Sequence, residues 1–223
     1  MAPSGLFISF EGIDGCGKTT QTAWLADALE RAGRQVVKTQ EPGGTLIGRR
    51  LRDLLLTDGA APRAPQTEAL LFAADRAQHV AEVIRPALER GDIVVCDRFT
   101  DSTRAYQGGG RRLPSDFVET VIGVATGGLE PRLTFLLDLP ADVARARLTQ
   151  HPRRERAADR FETEEPAFYE RVRAAFLDLA RAHPARVRVL DAAQPPDAIH
   201  ALVWNAVAAR LSPPLPQASS LAP

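Results

Sequence analysis

Short apolar runs of strand length recur along the chain, and the stretches between them carry helical spacing. Leu6 to Phe10 is the first run, and Val36-Val37, just after a helix stop at Gly33, marks the second. Ile93 to Cys96 is the third, apolar at every position as a strand covered on both faces must be. Thr134 to Leu139 and Arg186 to Leu190 are the fourth and fifth. Helical patterns begin at Thr20 and occupy Ile47 to Leu56, Gln66 to Arg90 with an interruption near Pro86, Pro114 to Thr126, Ala141 to Gln150 and Pro196 to Arg210. No element is assigned between Gln150 and Arg186. Strand and helix alternate, which predicts an α/β fold: a five-stranded parallel sheet with helices on both faces. Ligands of such sheets gather beyond the carboxyl ends of the strands.

Composition adds bounds. The 223 residues suit one domain, expected over residues 1–211, and the Pro-, Ser- and Ala-rich segment 212–223 reads as a disordered tail. Formal net charge is +0, so bulk attraction to nucleic acid or an anionic membrane is not expected and basic character must be local. Two cysteines, Cys16 and Cys96, no signal-like N-terminus and no apolar run of membrane length predict a cytoplasmic protein with free thiols. Four scattered histidines lack ligand spacing and receive no catalytic or metal role.

The chemistry starts after the first strand. Gly12, Ile13, Asp14, Gly15, Cys16, Gly17, Lys18 and Thr19, continued by Thr20, fit the phosphate-cradling loop G-x-x-x-x-G-K-[ST], with strand before and helix after. Glycines bring the backbone close to phosphate oxygens, successive N–H groups make an anion nest, and the helix N-terminus adds partial positive charge. Lys18 is expected on the β- and γ-phosphates and the Thr19 hydroxyl on Mg²⁺. A nucleoside triphosphate is the predicted ligand. A guanine-reading Asn/Thr-Lys-x-Asp sequence is missing, which argues against a GTPase switch.

Two further features are local. Asp97-Arg98 ends the third strand, where Asp97 is placed to help hold Mg²⁺ and Arg98 to clamp an acceptor phosphate with its planar fork; a surface ion pair is the plainer reading. Arg153, Arg154, Arg156 and Arg160 follow the fourth strand's helix, either as a lid at about 150–161 that brings arginines onto a transferring phosphoryl group or as a solvated charged face.

Four motifs in order, Phe10-Glu11-Gly12-Ile13-Asp14-Gly15-x-Gly17-Lys18-Thr19-Thr20, Glu41-Pro42-Gly43-Gly44-Thr45, Leu71-Phe72-Ala73-Ala74-Asp75-Arg76 and Asp97-Arg98-x4-Thr103-x2-Tyr106-Gln107-Gly108, resemble the thymidylate kinase family over about residues 5 to 210. The resemblance implies a P-loop kinase that transfers the ATP γ-phosphoryl group to dTMP with Mg²⁺. It implies Asp14 on the sugar 3′-OH, Phe72 stacked on thymine, Arg76 on a base carbonyl, Thr103 and Gln107 on the base edge and Tyr106 under the sugar. Arg98 would take the dTMP phosphate, Arg52 the base or phosphate, and Glu41 would support the Mg²⁺ and phosphate network. With Cys16 where some members carry a loop arginine, the pattern is similar to the bacterial type, whose lid arginine acts in catalysis; Arg153 and Arg156 are the candidates. The family also implies a homodimer. Plain core packing for Phe72, a deoxynucleoside kinase and a catalytically silent nucleotide-binding protein are the alternatives.

Overall fold

The computed structural model describes residues 5–56, 63–150 and 160–211. Five parallel strands form one sheet in the order β2-β3-β1-β4-β5: β1 is Leu6–Glu11, β2 Val36–Gln40, β3 Ile93–Asp97, β4 Leu133–Asp138 and β5 Val187–Asp191. The three inner strands are almost wholly buried, while the edge strands β2 and β5 are partly exposed. Register brings Phe10 beside Asp97, so both strands end at the same level and deliver their next residues into one crevice.

Alternation along the inner strands builds two apolar layers. Ile8, Phe10, Ile93, Val95 and Phe135 face a core closed by helices α1 (Lys18–Arg31), α8 (Pro166–Ala182) and α9 (Pro196–Ala208). Phe7, Val94 and Cys96 point the other way, onto Val80, Ile84 and Leu88. The remaining helices are α2 (Leu46–Leu56), α3 (Pro65–His79), α4 (Arg85–Glu89), α5 (Thr100–Thr103), α6 (Ser115–Thr126) and α7 (Ala141–Gln150).

Three elements differ from the sequence reading. The interruption expected near Pro86 lies upstream, as a π-turn over Val80–Ile84 where the Arg85 N–H reaches the Val80 carbonyl. Pro86 cannot donate to residue 82, and the widened turn absorbs that missing bond. Helix α8 went unassigned although Phe168, Val172, Phe176 and Ala180 form its buried stripe at a four-residue step. Thr100 to Gly110 is also helical, α5 running into a π-turn over Arg104–Gly110 despite three consecutive glycines. A Cβ on Gly109 would stand 2.6 Å from Ala175 Cβ, and one on Gly110 2.5 Å from the Phe168 ring; the glycines let this segment lie against α8. Both cysteines are free and buried. Arg153, Arg154 and Arg156, most of the expected lid, and the 212–223 tail lie outside the described residues.

Candidate active site

The loop between β1 and α1 turns through left-handed backbone at Gly15 (φ 83°) and Gly17 (φ 98°), and a Cβ on Gly12 would collide with the Leu137 carbonyl oxygen at 2.5 Å. Lys18 Nζ donates to the Ile13 carbonyl at 2.8 Å, so the ammonium is held within the loop it serves. Thr19 Oγ1 donates to Asp97 Oδ2 at 2.7 Å, which joins the two residues assigned to Mg²⁺. Two hard oxygens side by side at the end of the phosphate loop fit Mg²⁺, which takes one or two protein oxygens and fills its octahedron with phosphates and water. Cys16 is buried, and burial pushes its thiol pKa up against the pull of Lys18 and Arg98, so a small packed side chain describes it better than a reactive thiol.

Arg98 has φ 72°, unusual for a non-glycine residue. The Arg98 N–H donates to the Phe10 carbonyl, and the next residue's N–H, Phe99, to Glu11 Oε1 at 2.7 Å. The guanidinium then donates to the Gly12 carbonyl (3.0 Å), Ser102 Oγ (3.0 Å), Asp14 Oδ1 (2.5 Å) and the Tyr106 hydroxyl (3.2 Å), with its carbon 5.0 Å from the Tyr106 ring centre. Tyr106 in turn donates to Asp14 Oδ2 at 3.1 Å. Burial opposes ionisation of Asp14, but the Arg98 and Lys18 charges and these hydrogen bonds outweigh it and bring its pKa to about 2. The result is a fixed charge pair beside the phosphate loop.

A cleft opens from this pair, lined by Asp14, Glu41, Pro42, Arg52, Leu56, Phe72, Arg76, Arg98, Ser102, Thr103, Tyr106, Gln107 and Phe161. Every acceptor-binding candidate of the sequence reading is therefore brought together. Phe72 is half-buried on one wall, so core packing does not account for it alone. Arg52 donates to the Pro42 carbonyl at 2.7 Å, bracing the Glu41–Thr45 loop. Arg76 is fully buried, with donors on Glu41 Oε2 (2.8 Å), Thr103 Oγ1 (2.8 Å) and the Phe99 carbonyl (3.1 Å). Glu41 takes its second bond from His79 Nδ1 at 2.9 Å, and His79 Nε2 meets Thr39 Oγ1 at 2.7 Å. Both Glu41 oxygens thus serve helix α3, which makes this carboxylate the support of Arg76.

Sequence reasoning missed four contributors. Glu11 was quoted within a motif but given no role; it bonds Phe99 N–H and Ser102 Oγ (2.6 Å), and burial, reinforced by Asp101, raises its pKa to about 8. His79 was set aside, yet it is wholly buried against Glu41. Phe161 caps the cleft, its ring centre 6.1 Å from that of Phe72 and 5.5 Å from that of Tyr106. Glu68 holds Gln107; it shares a helix face with Phe72 and Arg76, but its partner lies 39 residues away in sequence. Among the described residues no group of three or more His, Cys, Asp or Glu could hold a metal by itself.

Comparisons with known proteins point to one family. Residues 10–203 match the family model described as thymidylate kinase. The chain is 50% identical over 201 residues to a thymidylate kinase of Bordetella pertussis, covering 90% of this chain and 93% of that protein. It is 52% identical over 207 residues to one from Bifidobacterium longum, covering 92% and 96%. A crystal structure of thymidylate kinase from Ehrlichia chaffeensis superposes with a TM-score of 0.72 at 32% identity, over 92% of this chain and 99% of that one.

Proposed function

The chain belongs to the thymidylate kinase family, and from that premise we propose that it transfers the γ-phosphoryl group of ATP to the phosphate of dTMP, giving dTDP and ADP. The observation that carries the reading is the cleft itself: an aromatic wall at Phe72 at one end, and at the other the Arg98–Asp14–Tyr106 cluster against the phosphate loop. A ring, a sugar and a phosphate fit that order of surfaces.

The steps follow from positioning and charge, since phosphoryl transfer asks for little else. Loop N–H groups and Lys18 hold the β- and γ-phosphates of ATP. Thr19 and Asp97 are the residues that would hold Mg²⁺, which when bound would supply charge neutralisation for the transfer. Arg98 turns part of its fork to the dTMP phosphate, and Asp14 accepts from the sugar 3′-OH. Tyr106, fixed by Arg98 and Asp14, packs beneath the sugar, where a 2′-OH would crowd it. Phe72 stacks on the base, and Thr103 and Gln107 read its edge while Arg76 and Arg52 close the base side. Arg153 or Arg156 from the basic stretch adds charge to the transferring group. No strong general base is required, because the acceptor phosphate is already ionised.

The active unit is a single domain that pairs as a homodimer. Leu70 on α3 and Val124 on α6, two helices packed on each other, are exposed apolar residues that support this reading. Size-exclusion chromatography with light scattering reads the mass directly. Among the described residues no helix is long and apolar enough to cross a membrane.

The decisive assay follows ADP release with ATP and Mg²⁺ while dTMP, thymidine, dUMP, dCMP and AMP are offered separately. Turnover with dTMP far above the rest, and its loss in Arg98→Ala, is expected. Turnover with thymidine in place of dTMP would move the protein to the nucleoside kinases and refute the proposal.

A further inference from the structure

We infer that Glu68, locked by Arg111, is a positioning residue that sets the hydrogen-bonding polarity of the base-reading pair and so decides pyrimidine selectivity; the inference rests on the dTMP kinase reading above. Glu68 lies on α3 one turn before Phe72 and is 2% exposed. Its Oε1 accepts from Gln107 Nε2 at 3.0 Å and from Arg111 Nε at 3.0 Å, and its Oε2 from Arg111 Nη2 at 3.0 Å. Arg111 also reaches Glu164 at 2.6 Å and stands 4.7 Å from the Phe168 ring centre, which anchors it to α8.

The consequence is chemical. An amide of unknown orientation reads nothing, because its oxygen and nitrogen are nearly the same shape. A carboxylate held in an arginine fork is an acceptor only, so the Gln107 side chain must give it the NH₂ end. Gln107 lines the cleft, and with its NH₂ committed to Glu68 the amide oxygen is the end it has to offer a base.

Thr103, one turn earlier, is polarised the opposite way. Its oxygen accepts from Arg76 Nη1 at 2.8 Å, and a guanidinium accepts nothing, so the hydroxyl proton is turned elsewhere. Donor at residue 103 and acceptor at residue 107 stand side by side. Thymine and uracil present the complement, a carbonyl next to a ring N–H. Cytosine presents the reverse, an exocyclic NH₂ next to a bare ring nitrogen. Two charged residues that stand behind the reading pair thus select a 4-oxo pyrimidine against a 4-amino one.

The test compares kcat and KM for dTMP, dUMP and dCMP in the wild type, Glu68→Gln, Gln107→Leu and the double variant. Glutamine at 68 keeps the shape but lets either end of the Gln107 amide pair with it. The expected result is an increase of about tenfold in KM for dTMP and dUMP, with kcat/KM for dCMP unchanged or higher and KM for ATP unmoved. The dTMP-to-dCMP preference therefore falls at least about tenfold in Glu68→Gln. In the Gln107→Leu background Glu68→Gln should not alter that preference further, because no amide remains to orient. A preference within about twofold of wild type in Glu68→Gln, or an equal fall in the Gln107→Leu background, would overturn the inference. If Glu68→Gln does not fold, the wild-type protein still decides by NMR. With dTMP bound, the Gln107 side-chain NH₂ protons should show NOE contacts to the Arg111 side chain and none to the base N–H, whereas an NH₂-to-base contact in place of the Arg111 contact would reverse the assignment. A wild type inactive on all three nucleotides defeats the functional reading and this inference together. A wild type selective for dTMP whose Glu68→Gln variant remains equally selective defeats this inference alone.

Discussion

Replacing Glu11 by glutamine should make the protein more stable, and increasingly so as pH rises. Glu11 ends β1, is 1% exposed, accepts the Phe99 N–H and shares a 2.6 Å bond with Ser102 Oγ. Burial first, and the nearby Asp101 charge second, raise its pKa to about 8, while Ser102, Arg98 and the Phe99 N–H pull the other way less strongly. The sign is fixed by proton counting. Between about pH 4.5, where the unfolded carboxyl titrates, and about pH 8 the folded state holds a proton that the unfolded state has lost. Stability contributed by that proton is present below pH 4.5 and declines as pH rises, by up to about 1.4 kcal/mol per unit, or about 4 kcal/mol between pH 5 and pH 8. Glutamine has the shape of the protonated acid, keeps an oxygen to accept the Phe99 N–H, and has no proton to lose. Asp75, raised to about 6 mainly by burial, slopes the same way, and Asp14, lowered to about 2, acts only in acid; both cancel in the difference between variant and wild type. Urea unfolding at pH 5, 6, 7 and 8 should show the two proteins close at pH 5 and separated by several kcal/mol at pH 8, with Glu11→Gln the more stable. A constant difference across that range would refute the reasoning, because it would mean that Glu11 carries the same charge folded and unfolded.

Other expectations can be checked on the same preparations. Phe72→Ala should raise KM for dTMP by about ten- to a hundredfold, the equivalent of about 1–3 kcal/mol of base stacking, with KM for ATP near wild type in steady-state kinetics. Arg98→Lys keeps a charge but loses the planar fork that joins Gly12, Ser102, Asp14 and Tyr106, so kcat/KM for dTMP should fall at least about a hundredfold. Gly109→Ala forces a methyl group to 2.6 Å from Ala175 and should cost about 1–3 kcal/mol of stability, seen as a lowered Tm. Chelating Mg²⁺ with EDTA should abolish turnover, and Mg²⁺ excess should restore it.

What could be read from the residues and what could not divide along a physical line. Strands buried on both faces announce themselves as unbroken apolar runs, and the phosphate loop as glycines at fixed steps, because in both the constraint acts on consecutive residues. Cleft residues such as Phe72, Arg76, Thr103 and Gln107 were legible through the motifs that carry the family resemblance, and their one-turn spacing agrees with it; periodicity alone would leave Phe72 in the core. Helix α8 obeyed that period too, but the run of arginines before it drew the reading toward charge and away from the apolar stripe at Phe168, Val172, Phe176 and Ala180. The Thr100 to Gly110 helix was hidden for a different reason. Its glycines count against helix by propensity, and only the approach of α8 explains them.

The partners of the supporting carboxylates were the least legible, even for Glu41, which a motif names, and the reason lies in what makes them work. Glu11, Glu41 and Glu68 resemble ordinary surface acids in sequence, since a glutamate is buried only when partners from other elements satisfy it. Those partners are Phe99 and Ser102 for Glu11, Arg76 and His79 for Glu41, and Gln107 and Arg111 for Glu68. All of them stand 35 or more residues away along the chain, so no local pattern can announce the pairing. Each carboxylate supports the cleft: Glu11 binds the Phe99 N–H and Ser102 beside Arg98, Glu41, itself in the lining, holds Arg76, and Glu68 holds Gln107. The residues that face the cleft can be found by motif, whereas the orientation of their donors and acceptors is set by these three buried acids and becomes visible only once the sheet has brought β1, β2 and α3 to the same crevice.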